Sequence, residues 1–402
     1  MTGGSLVLKQ SLHRCVRLER RSEGPVIVKR FEQRGPLGRA LDAGRARREY
    51  EVLTHLAKAS VSVPRALSLT RRGRAYEVEI EWIDGARSLA ELCRAGAPLS
   101  VELARRLGEL LAGLHSAGVD HPDLHAGNVL ITEACRVVAV DFDKARIVKR
   151  VGDEQVSRDL VSLCAGLREA TLPRWRAVAL RAWWKALDLG LRDRLAPPRA
   201  FEVEQLARAR RLRVVQDRER RWTRAGSAVM ALASGRGFAR AGADPALIAR
   251  ALAGETLPSS TIRVSGSRRQ VLALWRSMAR LEEHAVPAPR CWLLSDESPA
   301  CAWFERELPR KPSSPRGRGR WIGALIDRAL WCPGLAEEDL DDSGLRLPRV
   351  LARLSMSEAR ERLAPWLAGL SPDARREFLR GLAESWRGPL RECRELVLQL
   401  HA

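Results

Sequence analysis

A short segment in the first half of the chain combines residue types at spacings that phosphoryl transfer requires. His121-Pro122-Asp123-Leu124-His125-Ala126-Gly127-Asn128 sets an aspartate and an asparagine in one loop, and Val140-Asp141-Phe142-Asp143 follows a hairpin's length downstream. Phosphoryl transfer asks for positioning and charge stabilisation: one carboxylate to orient the attacking hydroxyl, and a carboxylate with an amide oxygen to hold a divalent cation on the phosphates. Asp123 suits the first role, and Asn128 with Asp141 the second. The spacing is that of the pattern H-x-D-x-x-x-x-N, in which the aspartate handles the hydroxyl proton and the asparagine binds metal. His121 is expected to support the loop by hydrogen bonding and His115 to be structural, while His125 is a candidate for contact with phosphate or substrate.

These residues need a scaffold, and the flanking sequence describes one. Pro25-Val26-Ile27-Val28-Lys29-Arg30-Phe31 is rich in β-branched residues and predicts a central strand carrying Lys29. A break containing Gly and Pro follows, and then Ala46 to Ala57 shows apolar residues at helical spacing, with Glu49 near its start. Lys29 and Glu49 thus stand where a nucleotide-binding lobe pairs a strand lysine with a helix glutamate to grip phosphates. Ala75 to Ile83 predicts a strand running into Asp84-Gly85, a hinge along which an adenine would lie, with Glu81 and Ile83 as its contacts. An apolar-periodic helix over residues 100 to 117 leads into the loop, and Val129-Leu130-Ile131 with Val137-Val138-Ala139-Val140 forms the hairpin that returns Asp141 to it. No Gly-x-Gly-x-x-Gly lies between Leu6 and Lys29, so another turn must cover the phosphates, and the one around Arg21 to Gly24 is the candidate.

Bulk composition sets the frame. With 402 residues the chain predicts two domains, or a bilobal domain with an appendage. Its apolar fraction of 45% is that of a globular protein, and no run approaches the ~18 apolar residues that span a bilayer. Met1-Thr2-Gly3-Gly4-Ser5 has no basic flank ahead of an apolar segment, so the expected location is cytoplasmic. The eight cysteines are scattered without metal-type spacing, which predicts reduced and mostly buried thiols. A formal charge of +21 implies either an anionic partner, such as nucleic acid, an acidic membrane surface or a phosphorylated glycan, or simply arginine-rich solvated helix faces.

Over Leu114 to Leu130 and Asp141-Phe142-Asp143-Lys144-Ala145-Arg146, the sequence resembles the lipopolysaccharide kinase family, especially the Kdo kinases, in which D-F-D and a basic residue replace D-F-G. Ser62-Val63-Pro64-Arg65-Ala66 and Ile83 to Leu89 are similar to the family's segments after the glutamate helix and at the hinge. The resemblance covers residues 5 to about 192. It implies a protein-kinase-like fold, ATP with Mg²⁺ or Mn²⁺, and a Kdo or heptose hydroxyl of a lipopolysaccharide inner core as acceptor. It also implies peripheral contact with the cytoplasmic face of the inner membrane and no nucleic acid. Asp143, Lys144 and Arg146 become candidates to meet the acidic sugar or to brace the metal loop, with Asp143 serving either as a second carboxylate or as a structural brace. Other readings of the same loop are an atypical Ser/Thr protein kinase, another small-molecule kinase, or a pseudokinase-type module binding membrane or nucleic acid.

The expected architecture is α+β. A bilobal kinase-like domain fills residues 1–200, with an antiparallel-sheet N-lobe to about 83 and a helical C-lobe from about 84. A basic linker or helix follows over 201–225, then a second, mainly helical domain over 226–402. Arg268 to Leu272, Ala285 to Arg290 and Cys301 to Glu305 parallel Arg47 to Leu53, Val61 to Arg65 and the hinge strand, with Gln270 near the glutamate position. This makes the second domain either a degenerate kinase-like repeat without catalytic residues or a helical regulatory domain. Lys311 to Arg320 predicts a flexible basic loop, and Ser357 to Leu370 and Ser371 to Trp386 predict inward-packing amphipathic helices.

Overall fold

The computed structural model describes residues 5–11, 14–32, 35–225, 229–284, 286, 288–295, 297, 299–305, 314–328, 330–333, 340–341, 344–345, 351–387 and 390–401. They form two compact units, Met1–Ala207 and Arg208–Ala402.

The first unit begins with strands β1 (Ser5–Ser11), β2 (Arg14–Arg21) and β3 (Gly24–Phe31), helix α1 (Gly35–Lys58), and strands β4 (Ala66–Arg72) and β5 (Ala75–Glu81). The strands make an antiparallel sheet in the order β1-β2-β3-β5-β4. Alternation along β3 and β5 decides which side chain meets which layer. Ile27, Lys29 and Phe31 pair with Ile80, Val78 and Tyr76, and Val78, Ile80 and Phe31 join the core built with Val52, Leu53 and Leu56 of α1. The intervening positions of β5 carry charge. Glu77, 1% exposed, takes Arg17, Arg30 and Arg72, and Arg21 bridges Glu19 and Glu79. Part of the chain's arginine excess is therefore neutralised within this sheet.

Helix α1 is twice as long as the sequence pattern suggests. The expected break before Ala46 is helical from Gly35, because Pro36 lies in the first turn, where a missing N–H costs nothing.

The rest of the unit is mainly helical. A short β6 (Arg87–Ser88) leads into α2 (Leu89–Arg94) and then α3 (Val101–Ser116), which is capped by Ser100 and buries Leu103, Leu107, Leu110, Leu111 and Leu114 at helical spacing. Strands β7 (Val119–Asp120), β8 (Val129–Ile131), β9 (Val137–Ala139) and β10 (Arg146–Ile147) frame the loop segments. Helices α4 (Asp153–Leu167), α5 (Pro173–Ala186), α6 (Leu189–Arg192) and α7 (Ala200–Glu219) follow. Gly108 lets α3 lie directly on α5, since a Cβ there would overlap the Ala179 carbonyl. Arg176 of α5 is fully buried and held bidentately by Glu204 of α7, each contact at 2.6 Å.

The division between the units falls inside α7, which is continuous across residues 201–219 of the expected linker or helix. The second unit has β11 (Val229–Ala231), β12 (Gly237–Arg240), α8 (Pro245–Leu252), β13 (Thr261–Gly266), α9 (Arg268–Glu283), β14 (Arg290–Ser295) and β15 (Ala300–Glu305). Helices α10 (Pro315–Asp327), α11 (Met356–Ala368), α12 (Pro372–Ser385) and α13 (Leu390–His401) follow, with short two-residue strands between α10 and α11. Its antiparallel sheet runs β11-β12-β14-β15-β13. The succession strand, helix, strand, central strand in β13-α9-β14-β15 is that of β3-α1-β4-β5, and β15 lies between β13 and β14 as β5 lies between β3 and β4. The preceding hairpin differs: β12 pairs with β14, whereas β2 pairs with β3. Gln270 caps its own helix, accepting from Ser267 Oγ at 2.8 Å.

The expected basic loop over Lys311 to Arg320 is overturned for the part that is described. Residues 311–313 lie outside the described residues, and α10 starts at Pro315 with Ser314 as its cap. Glycines that read as loop signals serve close packing instead: a Cβ on Gly319 would overlap the Phe378 carbonyl of α12, and Gly381 gives the reciprocal clearance. The eight cysteines are free thiols, five of them buried, and burial pushes Cys164 up to about 12. Among the described residues no helix is long and apolar enough to cross a membrane.

Candidate active site

β3 delivers Lys29 to a cleft between the sheet and the helical lobe of the first unit, and α1 delivers Glu49 beneath it. Lys29 is 7% exposed and Glu49 fully buried, and the two form a short ion pair. Lys29 Nζ also donates to Asp141 Oδ1 at 3.0 Å. Burial alone would pull the lysine down, but Glu49 and Asp141 outweigh it and hold the ammonium above its ordinary range.

The segment from β7 to β8 makes a compact turn. The His121 carbonyl accepts from Leu124 N at 3.0 Å, the His125 carbonyl from Asn128 N at 2.8 Å, and a 3₁₀ turn covers Ala126–Asn128. Asn128 Nδ2 donates to the Asp123 carbonyl at 3.0 Å, which commits the nitrogen and leaves the amide oxygen for a cation. The Asn128 carbonyl takes Val140 N at 2.9 Å, so the two ends of the β8–β9 hairpin are tied beside each other.

Asp141 then adopts φ +67, a left-handed conformation rare for a non-glycine residue. Its neighbours hold it there: Phe142 is fully buried against His121 at 4.9 Å between ring centroids. Burial would raise the Asp141 carboxyl, but the Lys29 and Arg14 charges reverse this and keep it well below the usual carboxylate range. His121 is buried, with Nε2 at 3.5 Å from the Val140 carbonyl, and burial lowers its basicity, so the ring is a neutral support of the loop.

Asp123 lies at the mouth of this cluster, with Oδ2 accepting from Lys144 Nζ at 2.7 Å. The sequence offered Lys144 as a contact for the sugar or a brace of the metal loop, and the structure brings its ammonium onto the carboxylate expected to orient the hydroxyl. His125 is exposed and turned to its own loop, with Nδ1 accepting from Gly127 N at 3.0 Å. Asp143 is 4% exposed and buttressed from two sides: Arg14 Nη1 reaches its Oδ2 at 3.3 Å and Arg48 Nη1 its carbonyl at 3.3 Å. Arg146 is exposed on β10, paired with Asp120.

Arg14 is the residue that sequence reading missed. Its Nη2 donates to Asp141 Oδ1 at 2.6 Å. The available signal was the alternation of β2, which turns Arg14 and Val16 to the cleft. The turn around Arg21 to Gly24, expected over the phosphates, is at the other end of that hairpin. Lys29 pairs with Val16 and Phe31 with Arg14, whereas Arg21 pairs with Gly24 and its side chain is committed to Glu19 and Glu79.

The cleft has a volume of about 370 Å³. Val16, Ile27, Ile80 and Leu130 form an apolar end beside Glu81, Trp82 and Ile83, and Lys29, Asn128 and Asp141 form a polar end. This division suits a nucleotide, with a flat base at one end and phosphates at the other. The donors also fit Mg²⁺, a hard cation that takes one or two carboxylates and fills its octahedron with phosphate oxygens and water. Among the described residues no three His, Cys, Asp or Glu side chains gather as a metal cage, so a cation on Asn128 and Asp141 would share its shell with phosphate.

Residues 33–181 match the model of the lipopolysaccharide kinase (Kdo/WaaP) family. Curated relatives include the 3-deoxy-D-manno-octulosonic acid kinase of Vibrio cholerae serotype O1, 34% identical over 27% of this chain and 47% of its own. That of Vibrio parahaemolyticus is 29% identical over 37% and 60% respectively, and that of Xanthomonas oryzae pv. oryzae 36% identical over 25% and 43%. The chain thus spans about half the length of the curated relatives it matches. A solved structure of WaaP in complex with acyl carrier protein is 19% identical, covers 52% of this chain and 87% of its own, and superimposes with a TM-score of 0.39. The resemblance to the lipopolysaccharide kinase family therefore holds over residues 33–181, and the first unit has the expected order of an antiparallel sheet followed by a mainly helical lobe. The matched segment contains Glu49, Asp123, Asn128, Asp141 and Lys144 but begins after Arg14 and Lys29.

Proposed function

We propose that the first unit is an ATP-dependent phosphotransferase that moves the γ-phosphoryl group to a hydroxyl of a lipopolysaccharide inner-core sugar, Kdo or heptose. The observation that carries this reading is the convergence of Lys29, Asn128 and Asp141 at one end of a nucleotide-sized cleft, with Asp123 at its mouth. The sugar acceptor is supported by the family match and by the names of the relatives.

Each residue has a defined task. Lys29, fixed by Glu49, holds phosphate oxygens, and Asn128 with Asp141 holds Mg²⁺. Bound Mg²⁺ supplies charge neutralisation on the phosphates. Asp123 accepts the acceptor hydroxyl's hydrogen bond and then its proton. Lys144 fixes one oxygen of that carboxylate, so the other faces the incoming hydroxyl, and its cation is placed to meet the phosphoryl group as it passes. Glu81 and Ile83, with Trp82 between them, present the hinge backbone to an adenine edge. The exposed Lys144 and Arg146 are the candidates for an acidic sugar, and the excess of basic residues suits a phosphorylated glycolipid at the inner membrane's cytoplasmic face.

The test is phosphate transfer by the purified full chain from ATP to Kdo- or heptose-bearing core oligosaccharide, followed by mass spectrometry. Asp123→Ala should abolish transfer and keep ATP binding. Transfer by Asp123→Ala at the wild-type rate would refute the mechanism, and phosphorylation of serine or threonine alone would move the acceptor to protein.

A further inference from the structure

Arg14 is the first residue of β2, on the roof of the cleft. Its guanidinium stacks over Phe31 at 5.5 Å and forks onto two carboxylates, Asp141 at 2.6 Å and Asp143 at 3.3 Å. Asp141 Oδ1 is the oxygen that Lys29 also holds. Two protein cations therefore converge on one oxygen of the carboxylate that is to bind the metal.

That arrangement opposes a third cation. A divalent ion on Asp141 would stand within a few ångströms of Arg14, and like charges about 4 Å apart repel by about 4 kcal/mol per unit-charge pair at the effective dielectric of a protein surface. Lys29 is anchored by the fully buried Glu49, whereas Arg14 reaches its carboxylates from the end of a longer and more exposed side chain. The chain has no glycine-rich run between Leu6 and Lys29 whose backbone N–H groups could cover phosphates. A guanidinium offers the equivalent donors in a planar fork matched to phosphate oxygens.

We propose that Arg14 is the phosphate clamp of this site. It rests on Asp141 and Asp143 before nucleotide binds, then passes to the nucleotide's terminal phosphates, freeing Asp141 for the cation as it closes over them. The inference rests on the nucleotide-site reading given above and adds to it the residue that takes the place of the glycine loop.

The experiment is calorimetric titration of the full chain, wild type and Arg14→Gln and Arg14→Lys, with Mg·ATP, Mg·ADP and adenosine. Mn²⁺ binding without nucleotide is followed in parallel by electron paramagnetic resonance. Loss of a charge-assisted contact predicts that R14Q weakens ATP and ADP about tenfold to a hundredfold. R14Q should leave adenosine unchanged and tighten Mn²⁺, and R14K should recover part of the phosphate-dependent affinity. If R14Q weakens adenosine as much as ATP, Arg14 only packs the roof and the clamp is overturned. Unchanged ATP affinity, or Mn²⁺ binding no tighter than wild type, overturns the exchange. If the wild-type chain binds adenosine and ATP equally or not at all, the nucleotide-site reading itself fails, and the clamp with it.

Discussion

The buried Lys29–Glu49 pair allows function and stability to be pulled apart. Glu49 is fully buried, and one of its oxygens has no hydrogen-bond partner beyond the lysine's grip on the other. Removing one member of a buried pair costs about 3–5 kcal/mol, because the remaining charge stays desolvated. In Glu49→Gln the lysine keeps Asp141 at 3.0 Å, so the expected cost is the low end, about 3 kcal/mol. For a unit of 207 residues this lowers the melting temperature by about 6–12 °C. The double variant Lys29→Met/Glu49→Leu removes both charges and keeps the volume. Replacements of that kind are often neutral or stabilising, so it should melt within a few degrees of wild type while transferring no phosphate. Differential scanning calorimetry reads the first quantity and a radiolabelled phosphate-transfer assay the second. If the double variant is as unstable as Glu49→Gln, the pair is not a net electrostatic cost to folding. If Glu49→Gln transfers phosphate at the wild-type rate, Glu49 does not position Lys29.

Two further outcomes follow from the same geometry. Asp141 has its carboxyl lowered by Lys29 and Arg14, so it stabilises the fold fully above the unfolded carboxylate value of about 3.9 and loses that contribution as pH falls below it. Urea midpoints measured from pH 5 to pH 3 should fall less for Asp141→Asn than for wild type, and an equal slope would show that Asp141 is not held by its cations in solution. Gly108→Ala forces α3 off α5 at the Ala179 carbonyl and should cost about 1–3 kcal/mol by overpacking. A thermal shift assay finding no loss would mean that the two helices do not approach as described.

The loop segment was legible because its geometry is local. Asp123 and Asn128 belong to one turn, and a hairpin of a few residues fixes where Asp141 returns, so residue types and spacing carry the geometry. The helix over 100 to 117 and the β3 strand were legible through periodicity, since one face of each is buried. Helix α1 was underestimated because Gly and Pro near its start read as a break, although the first turn tolerates both. The loop expected over Lys311 to Arg320 failed for a related reason: Gly319 is there for contact with α12, and a close helix crossing leaves in the sequence the same letter as a flexible loop.

Sequence by itself determined the phosphotransfer pattern of the first unit and the order of its lobes, because neighbouring residues and short periodicities carry that information. Tertiary structure decided which side chains share the site across long separations. Arg14 meets Asp141 and Asp143 across more than 120 residues, Lys144 folds back onto Asp123, and Arg176 finds Glu204. Sheet register and the left-handed turn at Asp141 set the first two pairings, and the approach of α7 to α5 sets the third. It also decided that the second unit's initial hairpin joins β14 rather than β13, since strand order within a sheet is fixed by packing between elements and leaves no local trace in the residues themselves.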